Sequence, residues 1–416
     1  MTATPLRTYS YAARIGFVVE LAEHLHAYGT TAQRLEGAVV GVAHQLGLEC
    51  EPRVSPTGML LAFSDPQCPP GESDITRVLR MGLGEIDLYK LSEADRIAEE
   101  VLAGTLDLSD GHSALLELQL RRPGRGGRIL HAFGFAMIAA GVAGLWRLPW
   151  LDIATAAGIG LLVGLLDMAT RNGDRLKEAH EAIAGMLAGF AAIAVASMVG
   201  PLNLNTVVIA SLLVLLPGMA ITNAVNELTS QHLVSGTARL SGAVATVIKL
   251  TVGTMIALTV AQMLGIEPQV RAWRPQPDWV ELVGLVVACA AFAVLFRARL
   301  RDVPVVMAAA ATGYLISRYA GLAWGAPIGL FLSALVVTAG GNGYARWANR
   351  PGAIVRVPGI IMLVPGSASL RGLMTLIQQQ DMAVGQQALM AVVNIILALI
   401  AGLLFGNLIL PARKNL

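Results

Sequence analysis

The 416-residue chain is 55% apolar and only 14% charged, with a mean hydropathy of +0.62. Water-soluble domains carry about 25% charged residues, so a wholly soluble fold is excluded and a membrane protein is the first reading. A net charge of +2, with no long basic run beyond RRPGRGGR at 121–128, gives no reason to expect a nucleic-acid partner. Charge is also unevenly shared, because residues 1–128 hold 29 of the 58 charged side chains. The sequence thus reads as a soluble front end on a bilayer-embedded body. Cys50, Cys68 and Cys289 are too few for a paired disulfide framework and read as reduced or buried thiols. The opening stretch MTATPLRTYSYAARIG lacks the apolar core and cleavage site of a signal peptide, so the front end is expected to be cytoplasmic.

In chain order, residues 1–128 predict a mixed α/β domain: helices at about 10–28 and 31–47, an extended stretch at 54–64, then helical segments to about 120. Glu20, Glu23, His24 and His26 crowd the first helix, but i and i+2 positions do not share a face. They read as a solvated surface, not as a metal site. The sequence has no nucleophile elbow, phosphate-cradling Gly loop or zinc-spaced Cys/His cluster, so no enzyme, cofactor or metal is expected. Ten apolar runs follow, at 129–147, 151–171, 183–200, 204–222, 241–265, 279–297, 303–320, 325–344, 354–377 and 386–410; each approaches the roughly 20 residues that a crossing needs. With the front end inside, 16 Lys and Arg fall in inner connections and four in outer ones. This asymmetry orients the body with both termini cytoplasmic.

The body also matches itself. LLVLLPG at 212–218 aligns with IIMLVPG at 360–366, a shift of 148 residues that sets Pro217 and Gly218 on Pro365 and Gly366. The organisation read from this is a front domain (1–128) and two five-helix repeats (129–265 and 275–410). An odd number of spans per repeat makes the two cross in opposite senses, as in many secondary transporters. Pro inside a span lacks the N–H that bonds one turn back, and Gly leaves helical angles cheaply. A break at each Pro-Gly pair would present bare N–H groups, suited to an anion and tolerable in lipid only where they line a cavity. Polar residues follow both breaks: Thr222, Asn223, Asn226 and Glu227 in one repeat, Ser367, Ser369 and Arg371 in the other. The plainer alternative is that both prolines merely kink packed helices.

Ionisable groups inside spans cost about 3 kcal/mol each at a helix centre, which singles out Asp167, Lys249 and Arg371. Asp167, Glu227 and Lys249 are the proton-coupling candidates. Asp167 also reads as a headgroup-level residue beside Arg171, and Lys249 as a snorkelling side chain. Asn394 is a weaker candidate, since a lone amide commonly ties helix to helix.

The chain resembles the threonine/serine exporter family over about residues 14–405. The resemblance is carried by YGTTAQRLE (28–36), EIDLYKLSEADRIAEEVLAGTLD (85–107), LLPGMAITNAVNELTSQHLVSGTARL (215–240) and VPGIIMLVPGSASLRGL (357–373). It implies a cytoplasmic region plus ten spans, and efflux of L-threonine and L-serine across the cytoplasmic membrane driven by the proton motive force. Related paired chains, one like residues 1–265 and one like 275–410, imply dicarboxylate export as the alternative. A membrane-anchored sensor or scaffold is a third reading, and a homo-oligomer is left open. In the working mechanism the half-helix starts after Gly218 and Gly366, with Arg371, hold the substrate carboxylate. Glu227 or Asp167 meets the ammonium or the coupling proton, and Thr222, Asn223, Ser367 or Ser369 reads the hydroxyl. Replacing Arg371 by Ala is expected to abolish efflux in vesicles while membrane insertion is retained; undiminished efflux would remove Arg371 from this scheme.

Overall fold

The computed structural model describes residues 9–69, 71–121, 123–170, 174–271, 274–363, 366, 370, 372–374 and 382–411. Its N-terminal domain begins with helices α1 (Tyr11–Ala27) and α2 (Ala32–Gln45). Three strands follow, β1 (Glu49–Ser55), β2 (Gly58–Ser64) and β3 (Ile75–Arg80), and then helices α3 (Leu88–Leu102) and α4 (Leu108–Leu120). The strands form an antiparallel meander in the order β1-β2-β3, with Val54 opposite Met59 and Met59 opposite Leu79. Alternation on β2 turns Met59, Leu61 and Phe63 onto the helices, where they join Phe17, Leu21, Leu35 and Leu115 in one core. The mixed α/β character was legible; β3 was not, because its exposed residues lack an apolar face.

One expectation for α1 is corrected. Glu20, His24 and His26 are buried rather than solvated, because α1 runs through the centre of the domain and packs against α2, α3 and α4. His24 Nδ1 donates to the Glu20 carbonyl at 2.7 Å, and His26 Nε2 donates to the Pro56 carbonyl at 3.1 Å. Burial holds both imidazoles below their ordinary pKa.

The body comprises α5 (Arg125–Leu145), α6 (Trp150–Thr170), α7 (Asp174–Met198), α8 (Leu204–Ser211), α9 (Gly218–Thr229), α10 (Leu233–Met263), α11 (Asp278–Leu295), α12 (Val303–Trp324), α13 (Ala326–Ala348), α14 (Ala353–Ile361) and α15 (Met382–Ile409). Among the described residues eight helices are long and apolar enough to cross a bilayer, and α8 with α9 makes a ninth when the bent pair is taken as one span. The expected run at 354–377 starts as α14 and passes into residues outside the described set. Val244, Ile248, Val252 and Ile256 lie exposed at four-residue spacing along α10. This is the stripe that acyl chains would cover. Trp150 and Trp279 pair at 5.7 Å where α6 and α11 begin, as interfacial aromatics do.

Lipid tails are as apolar as leucine, so helices in a membrane associate through close packing of small residues. Gly141 lies against Ala288 and Gly144 against Gly284 where α5 meets α11; Gly185, Gly189 and Gly253 bring α7 onto α10; Gly402 and Gly406 bring α15 onto α13. In each set of five runs, then, the third packs on the fifth through glycine. A Cβ at Gly253 would overlap the Ala182 carbonyl oxygen, whereas one at Gly242 on the same helix meets nothing within 4 Å. Gly253→Ala is therefore expected to destabilise the body by about 1–3 kcal/mol through overpacking, and Gly242→Ala to stabilise it by up to about 1 kcal/mol. Melting curves of both variants in detergent check the pair; equal shifts would refute the packing argument.

Candidate functional site

Leu216 precedes Pro217, and the proline ring pushes its neighbour out of the helical region. Leu216 is accordingly extended, with ψ 127°. The ladder that ended at Ser211 passes through a single 3-10 turn (Leu213–Leu215) and restarts at Gly218, with Pro217 as an N-cap that supplies no side-chain bond. Leu204–Ser211 and the segment Leu213–Thr229 are bent by 59°. The first predicted break is therefore present. Of the second, Pro365, Ser367, Ser369 and Arg371 lie outside the described residues, but Gly366 is placed. A Cβ on Gly366 would fall 3.1 Å from the Leu216 Cβ and 3.3 Å from the Gly218 Cα. Gly366, 148 residues after Gly218 in sequence, thus touches the first Pro-Gly site in the fold.

Beside this contact a cavity of about 1090 Å³ separates the N-terminal domain from the body. Thr222, Asn223 and Asn226, all predicted site residues, line it from α9, and Thr338 and Asn342 line it from α13. Thr222 Oγ1 donates to the Gly218 carbonyl at 3.2 Å. Asn342 Nδ2 donates to Asn407 Oδ1 at 2.9 Å and to the Leu410 carbonyl at 2.7 Å. The buried Thr338 hydroxyl has no partner among the described residues. The domain contributes Arg34 from α2 and Asp95 and Glu99 from α3. Asp95 is buried, with Oδ1 unpartnered among the described residues. Burial, aided by the charge of Glu99, pushes its carboxyl up to about 8. Asn349 Nδ2 donates to Glu99 Oε2 at 2.8 Å.

Polar contacts hold the domain on the body. Glu227, fully buried, receives Arg239 Nε on Oε2 and Arg239 Nη2 on Oε1, both at 3.1 Å, and Ser235 Oγ on Oε2 at 2.8 Å. The Ala32 amide at the start of α2 donates to its Oε1 at 3.1 Å. These four bonds fill the four lone-pair directions of a carboxylate. His232 Nε2 lies 2.8 Å from Glu36 Oε2, Arg297 pairs with Asp87 at 2.9 Å, and Arg299 pairs with Glu93.

The remaining candidates sit elsewhere. Asp167 is 3.6 Å from His131 Nε2, between α6 and α5. Lys249 Nζ donates to the Glu178 carbonyl at 2.8 Å and lies 3.5 Å from Glu181 Oε2, tying α10 to α7. Neither lines the cavity, and Asn394 is exposed on α15. Arg34, Asp95, Thr338 and Asn342 were missed by the sequence reading. Asp95 stands seven residues after Leu88 and four after Leu91, on the apolar stripe of α3, where a carboxyl is anomalous. Asn342 is a lone amide in an apolar run. Both signals were available.

Fold and site together define a multi-span α-helical membrane protein with a cavity between a small α/β domain and a broken helix. The family model described as "Putative threonine/serine exporter" matches residues 16–261, and the one described as "Threonine/Serine exporter, ThrE" matches 281–409. The chain belongs to this ThrE family, in which the two parts are here fused. It is similar to the fungal proteins named pheromone-regulated membrane protein 10: 26% identical to that of Pichia sorbitophila, 23% to that of Eremothecium gossypii and 24% to that of Saccharomyces cerevisiae, over 88% of this chain in each case. It spans 37%, 50% and 48% of their respective lengths. No solved structure matches the chain.

An acid whose folded pKa is raised binds a proton in the native state that the unfolded chain has released, so its contribution to stability falls as pH rises between the two pKa values. For Asp95 that window runs from the ordinary value of about 4 to about 8. Asp95→Asn is expected to flatten the decline of melting temperature across this range. Parallel pH profiles for the parent and the variant would refute the assignment.

Proposed function

We propose that the chain is a secondary exporter that takes a small amino acid, L-threonine or L-serine, from the cytoplasm and releases it across the cytoplasmic membrane. One observation carries the reading: the break at Pro217 touches Gly366, and the half-helix that starts there lines the cavity with Thr222, Asn223 and Asn226. A broken span is stable in lipid only where its freed backbone groups meet protein or a water-filled path. The charge asymmetry of the loops sets the N-terminal domain in the cytoplasm, so the cavity is the inward vestibule. Ten crossings in two inverted halves fit this arrangement. Arg346 Nη2 donates to the Pro411 carbonyl, and Asn349 beside it reaches Glu99 of the N-terminal domain. The end of α15 thus lies on the side of the N-terminal domain, which fits an even number of crossings. The recurrent third-on-fifth packing supports two related halves.

In this scheme the amides at the start of α9 and those after Gly366, with Arg371, receive the carboxylate, while Thr222 and Asn223 read the hydroxyl. Asp167, facing His131, carries the coupling proton. Glu227 and Lys249 are assigned structural roles, since Glu227 has its acceptor sites filled and Lys249 is bonded to α7. Purified protein in liposomes under an imposed pH gradient is expected to move labelled L-threonine, with L-serine competing and succinate not. Asn223→Ala is expected to lower flux about tenfold, the value of one hydrogen bond to the solute. Asp167→Asn is expected to abolish dependence on the gradient while sparing threonine–threonine exchange. Flux of succinate alone would favour the dicarboxylate alternative, and a sealed body with no flux would favour the sensor.

A further inference from the structure

Four residues that border the cavity carry a buried oxygen with no hydrogen-bond partner among the described residues: Tyr28, Thr30 and Thr338 through their hydroxyls, and Asp95 through Oδ1. Buried polar groups in folded proteins are nearly all satisfied, and leaving one bare costs about 1–3 kcal/mol. A wall built this way is matched to a solute that brings its own donors and acceptors. Three of the four residues belong to the N-terminal domain. Helix α1 ends at Ala27, and the left-handed turn at Gly29, with φ 85°, sets Tyr28 and Thr30 against the cavity ahead of α2. Leu88, Leu91 and Asp95, spaced three and four residues apart on one face of α3, border it too. Asp95 is therefore a carboxyl on an apolar stripe, in a residue only 4% exposed. The other carboxylates that border the cavity are committed. Glu36 accepts the Val54 amide and faces His232, and Glu99 accepts the Asn349 amide. Among the described residues no cation pairs with Asp95, and the charge that bears on it is the like charge of Glu99.

We infer that Asp95 is a substrate-binding residue of the N-terminal domain, whose carboxylate receives the ammonium group of the transported amino acid in the vestibule, with the Tyr28 and Thr30 hydroxyls as further acceptors on the same wall. The inference rests on the export reading and supplies what that reading lacks. Glu227 has its acceptor sites filled, and Asp167 lies away from the cavity. An ammonium has three N–H donors and no acceptor, so a carboxylate and two hydroxyls suit it in kind. It also brings the positive charge that favours the ionised carboxylate in a buried place. A dicarboxylate has no such group and meets like charge instead, so this wall selects amino acids against succinate. The front domain is then part of the transport path and not only a cap or a regulator.

The test uses the full chain in liposomes, with the parent and Asp95→Asn oriented to load from the domain side. Asp95→Asn keeps the shape and removes the charge. It is expected to raise KM for L-threonine about tenfold or more, with the maximal rate within about twofold. The threonine analogue α,β-dihydroxybutyrate, with a hydroxyl in place of the ammonium, should be a poor substrate for the parent and indifferent to the substitution. A merely structural role for Asp95 would move both solutes alike, and that result overturns the inference. An unchanged KM for L-threonine, in liposomes where the parent moves it, also overturns the inference and leaves the export reading standing. Should the parent move neither threonine nor serine, the export reading fails, and the site is judged by thermal stabilisation with serine, ethanolamine and lactate. A shift with serine or ethanolamine but not lactate, lost in Asp95→Asn, supports an ammonium site for a different solute. Any other pattern overturns it. If Asp95→Asn does not fold, Thr30→Val decides, since it deletes a hydroxyl that bonds to no described residue: a KM for L-threonine raised severalfold supports the site, and an unchanged one refutes it.

Discussion

The cavity depends on one buried carboxylate. Glu227 stands at the end of the half-helix that follows the Pro217 break and is held from the body by Arg239 and Ser235. It accepts its fourth bond from the first amide of α2 in the N-terminal domain. Ion pairs buried this deeply add little net stability over apolar packing, yet they are severely disruptive to break from one side, because the remaining charge is stranded. What such a pair fixes is geometry. Here it fixes the start of α2 against the helix that carries Thr222, Asn223 and Asn226. His232 with Glu36, one turn of chain away on each side, keeps the same two surfaces from rotating about that point.

The break in the membrane helix and the cavity are two aspects of one constraint. Pro217 lacks the N–H of a continuous ladder and Leu216 before it is extended, and α8 is bent by 59° against the Leu213–Thr229 segment that contains them. The freed backbone groups must then be met by something other than lipid. Close approach of Gly366 covers one side, since neither Gly218 nor Gly366 has a side chain to keep the backbones apart. The cavity covers another. An unbroken helix at this position would leave no reason for polar side chains to gather on α9, and the domain would rest on a featureless surface.

Much of this was legible in the sequence. Apolar run length located eight complete spans and the bent pair, and the Pro-Gly repeat located the break, because both signals are local. The alternation on β2 was local too. What escaped notice were residues whose meaning depends on a partner far along the chain. Asp95 looks like an ordinary surface carboxylate on α3 until the fold buries it. Glu227 looked like a substrate ligand because its partner Arg239 was counted among the loop cations. Glu20, His24 and His26 on α1 look solvated because helical periodicity cannot reveal that a helix packs against several neighbours at once. Lys249 and Asp167 stand out as costly, but cost alone does not say whether the compensation is a solute or a neighbouring helix.

The two matched segments, 16–261 and 281–409, each own part of the cavity wall. Asn223 and Asn226 come from the first, Thr338 and Asn342 from the second. Neither segment encloses the chamber by itself, so the working unit is inherently bipartite. The short stretch that joins α10 to α11 therefore acts as a stoichiometric guarantee: one copy of each half is translated, inserted and paired at every event, and no unpartnered half is left to expose a polar wall to lipid. Where the same architecture is divided between two polypeptides, balanced synthesis would have to supply what covalent continuity supplies here.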